Sequence, residues 1–358
     1  MTSTLLPFIQ KLIAIRSTAD DPAALARVLD AALAPLADFT IERFEHNGAP
    51  SALVYNRSAR PRRFRVLFNA HLDVVPGRDD RYQAKCTGDR LYGVGALDMK
   101  ANAACMIDVF KRLAPEASYP IALQLTTDEE IGGFDGTKHQ VRKGVRADFV
   151  IAGEPTNFDI VHKAKGVLWV KVAAKGRTAH GAYPWRGDNA VLKVHDFLNT
   201  LRRAYPDLKK EGWVTSVNVS RVSTSNVSLN KIPDDAEVWL DIRFIAQDAG
   251  KIVPRLRKML PTGCKLSVIE EEPPLSTDPN HTHIKALERA MKKVAGKKTV
   301  LRGANGTSDA RHFAGAGCPG IEFGAAGAGI GSDDEWVSVK SLETYCRVLE
   351  SYLRELDR

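Results

Sequence analysis

The chain has 358 residues, of which 44% are hydrophobic and 26% charged, a composition typical of soluble globular proteins with one or two domains. No apolar stretch approaches the roughly 20 residues of a membrane-spanning helix, so composition gives no indication of a membrane partner. The net charge of +8 comes from separated clusters such as RPRRFR at 60–65, without interleaved aromatic residues, which argues against nucleic acid as a partner.

The first segment, MTSTLLPFIQKLIAIRS, has neither the cationic start nor the cleavage site of an export signal, and we predict an amphipathic helix there. Five cysteines are scattered along the chain and never form C-x-x-C. An odd, dispersed set predicts reduced thiols in the cytoplasm and argues against a disulfide scaffold or a cysteine zinc site. These cysteines are Cys86, Cys105, Cys264, Cys318 and Cys346.

Three apolar, strand-like segments in the first half each end in polar side chains. FRVLFNAHLD turns polar at His71 and Asp73, IALQLTTDEE turns polar at Asp128, and ADFVIAGEP turns polar at Glu154. Between the first two, GDRLYGVGALDMKANAACMIDVFKRLA predicts a glycine-rich loop that delivers Asp98 to the start of an amphipathic helix. Such alternation predicts an α/β sheet, in which ligands collect beyond the carboxyl ends of the strands. Five side chains map to that edge: His71, Asp98, Glu129, Glu130 and Glu154.

The pattern changes in the middle of the chain. Residues 166–273 predict strand, helix, strand, strand, helix and strand, which is the order of the ferredoxin-like split arrangement. EEPPLSTDPNHTH then indicates a linker, followed by a helix in IKALERAMKKVAG, a glycine-rich loop, a short strand in GIEFG and a last helix from Val339. We therefore expect one domain formed by residues 1–165 and 274–358, with residues 166–273 inserted as a second domain.

One imidazole and four carboxylates at one edge indicate a site for a divalent metal, with zinc, cobalt or manganese favoured by mixed nitrogen and oxygen ligands. Neighbouring side chains at a strand end point in different directions, so Glu129 and Glu130 can do different jobs. One can bind a cation while the other takes a proton from the water that the metal activates, which is metal-assisted hydrolysis. Asp73, two residues after His71, can accept the second imidazole N–H. Taken alone, each acidic residue is more often a turn or helix cap.

Four motifs in order, NAHLDVVP, GVGALDMK, TTDEEIGG and AGEPT, resemble the metal-binding motifs of the M20 metallopeptidase family. GRTAHGAYP and NGTSDARHF extend the resemblance towards its succinyl-diaminopimelate desuccinylase and acetylornithine deacetylase branch. The resemblance implies an α/β fold with a zinc-exopeptidase-like catalytic domain and an inserted ferredoxin-like α+β lid and dimerisation domain. It also implies Zn²⁺, or Co²⁺ or Mn²⁺, as the cofactor.

Position by position, the resemblance implies a role for each residue of the edge. His71 and Glu154 would bind the first metal, Asp98 would bridge two metals, and Glu130 would bind the second. Glu129 would be the general base and then the general acid.

The resemblance also implies roles beyond this edge. His180 of GRTAH would reach into the partner subunit's site and stabilise the oxyanion, with a homodimer formed through the inserted domain. Arg243 and Asn230 would hold the substrate's carboxylate or carbonyl, and Lys165 matches a basic position loosely. Considered alone, His180 is a loop histidine without a role, and Arg243 is equally well a surface ion-pair partner. The remaining candidates, which could also be a plain turn, line the substrate pocket: Gly306, Thr307 and Ser308.

One family position is different here. Where the family carries a histidine ligand near the C-terminus, GAAGAGIGSDDEWV places Gly331, which has no side chain to offer a metal. Three readings stay open. Asp333, Asp334 or His312 substitutes; the enzyme works with one metal; or catalysis is lost and binding remains. Retention of Glu129 favours hydrolysis with a weakened second site.

The sequence thus predicts a cytoplasmic, metal-dependent amidohydrolase. A metal-activated water would attack the amide of an N-acetyl- or N-succinyl-amino acid, with Glu129 transferring the proton to the leaving amine. The alternatives are a dipeptidase or carboxypeptidase of the same family, and a pseudoenzyme that binds metal or an amino acid without turnover.

Overall fold

The computed structural model describes residues 4–357, which form two compact units. The first unit comprises residues 4–163, 275–304 and 308–357, and the second comprises residues 164–274 and 305–307. The expected boundaries lie within two residues of these junctions, but the short stretch 305–307 belongs to the second unit. Of the expected helix and domain ranges, residues 1–3 and 358 lie outside the described part of the chain.

The described helices and strands are numbered in chain order. The helices are α1 Leu5–Ile13, α2 Pro22–Leu33, α3 Lys100–Leu113, α4 Thr137–Arg142, α5 Ala190–Ala204, α6 Ile252–Lys258, α7 Thr282–Ala295, α8 Ala310–Gly315 and α9 Val339–Leu356. The strands are β1 Thr40–His46, β2 Ala49–Tyr55, β3 Val66–His71, β4 Lys85–Thr87, β5 Arg90–Tyr92, β6 Ile121–Thr126, β7 Val150–Ala152, β8 Ile160–Ala164, β9 Gly166–Lys175, β10 Ser216–Ser223, β11 Asp235–Phe244, β12 Cys264–Glu272, β13 Leu275–Ser276, β14 Leu301–Ala304, β15 Gly320–Glu322, β16 Gly327–Ala328 and β17 Trp336–Ser338.

The first unit is built on a nine-stranded sheet in the order β1-β2-β6-β3-β7-β15-β8-β13, with β14 paired to β8. Its centre is parallel, because β3 pairs with β6 and β7, and β7 pairs with β15, all in the same direction. Every residue of β3 and β6 is buried, as expected for parallel strands covered on both faces. The α/β sheet predicted from the strand and helix alternation is confirmed.

Helix α3 is more buried than an amphipathic helix would be. Eleven of its fourteen residues are buried, and the polar face is reduced to Asp108, Lys111 and Arg112. The prediction of an amphipathic helix was therefore only partly right, because α3 packs against the sheet, α1 and α9. The N-terminal α1 is amphipathic as expected and buries Leu5, Ile9, Leu12 and Ile13.

The second unit contains a four-stranded sheet in the order β10-β11-β9-β12, with every pair antiparallel. Residues of β11 alternate between buried and half-buried, and the buried ones pack with apolar residues of α5 and α6. One face of the sheet is thus covered by two helices. The ferredoxin-like order predicted for this segment is confirmed.

Three features were not predicted. The segment expected as a linker contains the end of β12 and the short strand β13. The hairpin β1–β2 extends the main sheet, and a small sheet of order β16-β17-β5-β4 joins segments that are far apart in the chain. Within residues 4–357, no helix combines the length and apolarity needed to cross a bilayer.

Leu123, fully buried in β6, tests how far this sheet carries the stability of the first unit. Leu123→Ala should lower the free energy of unfolding by about 2–5 kcal/mol, because it removes apolar contacts and leaves a cavity. Urea titration followed by circular dichroism measures the change. Val300→Ala, at a position 59% exposed in the same unit, should change it by less than about 0.5 kcal/mol. Equal effects would contradict this account of the core.

Candidate active site

Three parallel strands deliver the expected side chains to one edge of the main sheet. His71 at the end of β3 is in register with Thr126 at the end of β6, and Asn69 of β3 is in register with Ala152 of β7. Segments that follow directly from these strand ends carry the acidic residues. The sheet therefore places His71, the acidic run after Thr126, and Glu154 at one edge.

His71, Asp98 and Glu154 form a group in which one donor atom of each lies within 4.8 Å of the other two. Nε2 of His71 lies 3.1 Å from Oδ1 of Asp98. On the other side of the ring, Nδ1–H donates to the main-chain oxygen of Asp73 at 3.1 Å, while the Asp73 carboxylate lies farther away at 3.5 Å. The sequence led us to expect the Asp73 carboxylate as the acceptor, whereas the main-chain carbonyl of Asp73 is nearer. Either contact leaves Nε2 directed at the two carboxylates.

The donor set fits a divalent cation. One imidazole nitrogen and two carboxylates are a typical ligand set for zinc, with further positions open. Oε1 of Glu154 is buried and accepts no hydrogen bond from any described residue. A buried carboxylate oxygen without a partner is costly, and a bound cation would compensate it.

The carboxylates at this edge of the sheet are largely buried and repel one another strongly. Burial, together with the neighbouring Asp98 carboxylate, raises the pKa of Glu154 well above its usual range. Burial also raises the pKa of Glu130 to about 7. Burial opposes a charge on His71, yet the Asp73 and Asp98 carboxylates outweigh it and raise the pKa of the ring well above its usual range. This edge therefore needs positive charge, supplied either by protons or by a metal ion.

The three successive carboxylates of TTDEE have three different environments. Asp128 folds the loop, because its Oδ2 accepts the main-chain N–H groups of Asp135 at 2.7 Å and Gly136 at 2.9 Å. Glu130 is fixed through its own N–H, which donates to Oδ2 of Asp73 at 2.9 Å. Glu129 begins a 3₁₀ turn, Glu129–Ile131, and burial, followed by the repulsion of nearby carboxylates, raises its pKa well above the usual range.

Sequence reasoning missed Glu335, which holds the loop that carries Asp98. Its buried carboxylate accepts three main-chain N–H groups: Gly95 at 3.2 Å, Leu97 at 2.6 Å and Asp98 at 2.9 Å. The peptide bond after Asp98 is cis. The available signal was a glutamate directly before the apolar pair Trp336 and Val337.

Lys100 is a second missed residue. It is fully buried at the start of α3, and its Nζ donates to the main-chain oxygen of Ile15 at 2.7 Å. Burial lowers the pKa of Lys100 to about 7, although the carboxylates of Asp73 and Glu335 favour its charged form. A buried ammonium here offsets part of the negative charge behind the site.

Glu322 adds a further carboxylate at the same edge. It ends β15, in register with Ala152 of the neighbouring β7, and it is buried. Burial raises the pKa of Glu322 to about 7, partly opposed by the nearby hydroxyl of Ser308, one of the predicted pocket residues. The acidic residue inside the short GIEFG strand was the signal that could have found it.

Gly331 lies beside a cavity of about 240 Å³ that Val75, Asp333 and Glu335 also line. Its φ of +67° is left-handed, and a Cβ there would meet only Val75, at 4.0 Å. The candidate substitutes are engaged elsewhere. Asp333 accepts from the main-chain N–H of Arg78, Asp334 pairs with Arg81, and His312 donates to the main-chain oxygen of Gly132. Within residues 4–357, the metal-ligand grouping contains none of these and does not contain Glu130.

The second unit holds the predicted residues of the inserted domain. His180 is exposed, and its Nδ1 accepts from the main-chain N–H of Ala182 at 3.1 Å. Nε of Arg243 donates to Oδ1 of Asp241 at 2.9 Å. Arg243 therefore forms the ion pair that the sequence suggested as the alternative to a role in substrate binding.

The second unit also contains further candidates for substrate binding. The main-chain oxygen of Asn230 accepts a hydrogen bond from the main-chain N–H of Gly181 at 2.7 Å. Lys165 is buried and donates to the main-chain oxygen of Gly212 at 3.4 Å. Gly306 and Thr307 belong to the stretch 305–307 that the second unit includes.

This fold and this donor set define a class, the two-domain α/β metallohydrolases. More particularly, the chain belongs to peptidase family M20/M25/M40, whose family model matches residues 67–355. The family is metal-dependent, and the chain is accordingly a hydrolase that acts on amide bonds. The family predicted from the four motifs is confirmed.

Individual relatives agree with this assignment. The chain is 30% identical over 378 aligned positions to a succinyl-diaminopimelate desuccinylase of Alkalilimnicola ehrlichii, covering 99% of both chains. It shares its fold with the aminopeptidase PepT of Bacillus cereus, with a TM-score of 0.81, 20% identity, and 99% and 98% of the two chains covered. It also resembles the Bacillus subtilis YXEP protein, a dinuclear metal-binding peptidase, with a TM-score of 0.72, 15% identity, and 99% and 97% covered.

Removing the Glu335 carboxylate should loosen the loop that carries Asp98. Glu335→Ala leaves three main-chain N–H groups without their acceptor, which should lower the free energy of unfolding by about 1–3 kcal/mol or more and weaken zinc binding. Calorimetric zinc titration and urea unfolding measure both effects. Asp334→Ala is the matched control, because the adjacent carboxylate is exposed and forms an ion pair with Arg81 at the surface. The account fails if the two variants behave alike.

The crowded carboxylates also predict a pH dependence of stability. Burial raises the pKa of Asp128, Glu130 and Glu322 to about 7, against about 4 in an unfolded chain. The folded, metal-depleted protein therefore binds more protons than the unfolded chain between about pH 4.5 and 7. Its free energy of unfolding should fall as pH rises through that window. Urea titrations in EDTA measure the slope, which Glu322→Gln should flatten. A stability that rises over the same range would refute the prediction.

Proposed function

We propose that this protein hydrolyses the amide bond of an N-acyl amino acid, with an N-succinyl- or N-acetyl-amino acid as the first choice of substrate. The observation that carries the proposal is the convergence of donor atoms from His71, Asp98 and Glu154 within 4.8 Å of one another, with Glu129 close by. An imidazole and carboxylates in this arrangement suit Zn²⁺, with Co²⁺ and Mn²⁺ as alternatives.

His71, Asp98 and Glu154 would hold the cation. When bound, the cation would polarise the scissile carbonyl and make a water more acidic. His71 is suited to this task because Nδ1–H is engaged by Asp73, which leaves Nε2 as the nitrogen that would give up its proton and bind the cation. The buried Glu335 would keep Asp98 in place through its main chain.

Glu129 would be the general base and then the general acid. Its carboxylate would take a proton from the attacking water and return it to the leaving amine. Burial, opposed by His71, raises the pKa of Glu129 well above its usual range, which makes its carboxylate a stronger proton acceptor. A positive charge bound nearby would lower that pKa again.

Glu130 would bind a second cation together with Asp98. Support for a weaker second site comes from Gly331, which offers no ligand, and from the engagement of Asp333, Asp334 and His312 elsewhere. One cation with three protein ligands is chemically sufficient for hydrolysis. We therefore propose one firmly held metal and a second held weakly.

Residues beyond the acidic edge would contribute to substrate recognition. Arg243 would bind a carboxylate with the part of its guanidinium that Asp241 leaves available, and Asn230 would bind the substrate's carboxylate or carbonyl. His180 would stabilise the oxyanion in the site of a partner subunit. The desuccinylase name of the relative at 30% identity supports a dicarboxylic acyl group. The pocket would be completed by Gly306, Thr307 and Ser308.

The homodimer would form through the inserted domain. Support comes from β10, an edge strand on which Val219 and Val222 are exposed, and from Val227 and Leu229 in the following loop, which are almost fully exposed. A cytoplasmic location is proposed because all five cysteines are free thiols.

Turnover by the wild-type protein tests the proposed reaction. We expect hydrolysis of N-succinyl- and N-acetyl-amino acids after addition of zinc, cobalt or manganese, measured as release of the free amine. Glu129→Gln should lower kcat by a factor of about 10²–10⁴ with unchanged zinc content, because it removes the proton acceptor and leaves the ligands in place.

Two controls sharpen this test. Glu130→Gln should retain more activity than Glu129→Gln, and Gly331→His should raise the zinc content per chain if the missing side chain limits the second site. Preferential cleavage of dipeptides would favour a peptidase. Ligand binding without turnover under every metal would reject the hydrolase mechanism in favour of a binding protein.

A further inference from the structure

The turn that follows Glu129 has an unusual backbone. Gly132 and Gly133 are both left-handed, with φ of +112° and +63°. Their N–H groups donate back to the main-chain oxygens of Glu129 and Asp128, each at 2.8 Å. Two successive glycines restrict the backbone little, so contacts from elsewhere must fix the direction in which this turn sends Glu129.

Helix α8 supplies those contacts. The main-chain oxygen of Gly132 accepts a hydrogen bond from Nη2 of Arg311 and another from Nε2 of His312, the latter at 3.0 Å. Nη1 of Arg311 also donates to the main-chain oxygen of Ser308 at 2.8 Å. Both residues are only 4% exposed, so water competes little for these hydrogen bonds.

Asp309 holds the same turn from the second glycine. A Cβ at Gly133 would lie 1.8 Å from Oδ1 of Asp309, so the carboxylate occupies the space that any side chain at this position would need. The other oxygen of Asp309 accepts from the hydroxyl of Thr137 at the start of α4. The segment from Asp309 to His312 thus contacts both glycines of the turn.

We propose that Arg311 and His312 are positioning residues, which hold the Gly132 carbonyl and thereby fix the direction of the Glu129 carboxylate. The inference rests on the proposed role of Glu129 as the base. Two donors converge on one buried acceptor, and one donor is a guanidinium, whose hydrogen bonds are stronger than those of neutral groups. His312 must carry its proton on Nε2 to donate here, so that nitrogen is committed to the turn and is not a substitute metal ligand.

Four variants test the proposal. Arg311→Ala and His312→Ala should each lower kcat, by up to about 100-fold, because a base displaced by about 1 Å loses most of its effect. KM for an N-succinyl-amino acid and zinc content per chain should change little, since His71, Asp98 and Glu154 do not contact these side chains in the bonds described. His312→Gln keeps an N–H donor and should restore most of the rate, and Arg311→Lys should restore part of it.

A second readout does not depend on turnover. Hydrogen exchange measured by mass spectrometry should accelerate in the peptide covering residues 129–136 in Arg311→Ala and His312→Ala. Peptides from β9 and β11 should exchange as in the wild type. All rates are taken well below the melting temperature, so that a merely less stable protein is distinguished from one with a misdirected base.

Arg63→Ala is the matched control, because Arg63 also donates to a glycine carbonyl, that of Gly317 at 3.3 Å, just after the C-terminal end of α8. It should leave both kcat and the exchange of residues 129–136 unchanged. Glu129→Gln should lower kcat by a factor of about 10²–10⁴ without faster exchange. If the wild type shows no turnover, the proposed function fails, while the exchange experiment still decides whether the two side chains hold the turn. Unchanged exchange and unchanged kcat in the alanine variants would overturn the proposal.

Discussion

The structure of this site depends on one constraint, the repulsion between desolvated carboxylates. Glu129, Glu130 and Glu154 lie near Asp73 and Asp98, and burial raises the pKa of all three glutamates. Removing one carboxylate from water is costly, and each further negative neighbour adds to that cost. The protein tolerates the cluster because positive or hydrogen-bonding groups meet it from several directions. They include the His71 ring, the buried ammonium of Lys100, and main-chain N–H groups that bind Asp73 and Asp128.

The part of this arrangement that could be predicted is the part encoded locally. Apolar runs of six residues predict buried strands, and the parallel pairing of β3, β6 and β7 brings their polar ends together. His71, Glu129 and Glu154 follow from that rule alone. The glycine-rich loop before the helix also predicted Asp98 at this edge, although no periodicity indicates the path of that loop. The motif resemblance added the roles of the individual ligands. The resemblance also led to the expectation of two metal ions. Among the described residues, the ligand grouping supplies three residues of one site.

What could not be predicted depends on contacts between distant segments. Glu335 binds the loop at 95–98 from more than 230 positions away, and Arg311 reaches Gly132 across 179 positions. Neither contact leaves a periodic signal, since each partner lies in a loop or at a helix start. The hairpin β1–β2 was missed because its first strand alternates only between half-buried and exposed residues. In the small sheet, the strands are two or three residues long and are defined by pairing with remote partners.

These contacts between distant segments have one feature in common, which is that they bind main-chain groups. Glu335, Arg311 and His312 bond the main chain of the functional loops and not the carboxylates of Asp98 or Glu129. A carboxylate that was itself held by strong donors would have a lowered pKa and fewer free lone pairs for a cation or a proton. Hydrogen bonds to the peptide groups fix the direction of a side chain and leave its carboxylate oxygens available to a cation or a proton. In this chain, side chains from the segments 308–312 and 335 therefore hold the acidic edge by hydrogen bonds to its main chain. Neither segment belongs to a strand of the parallel centre of the sheet.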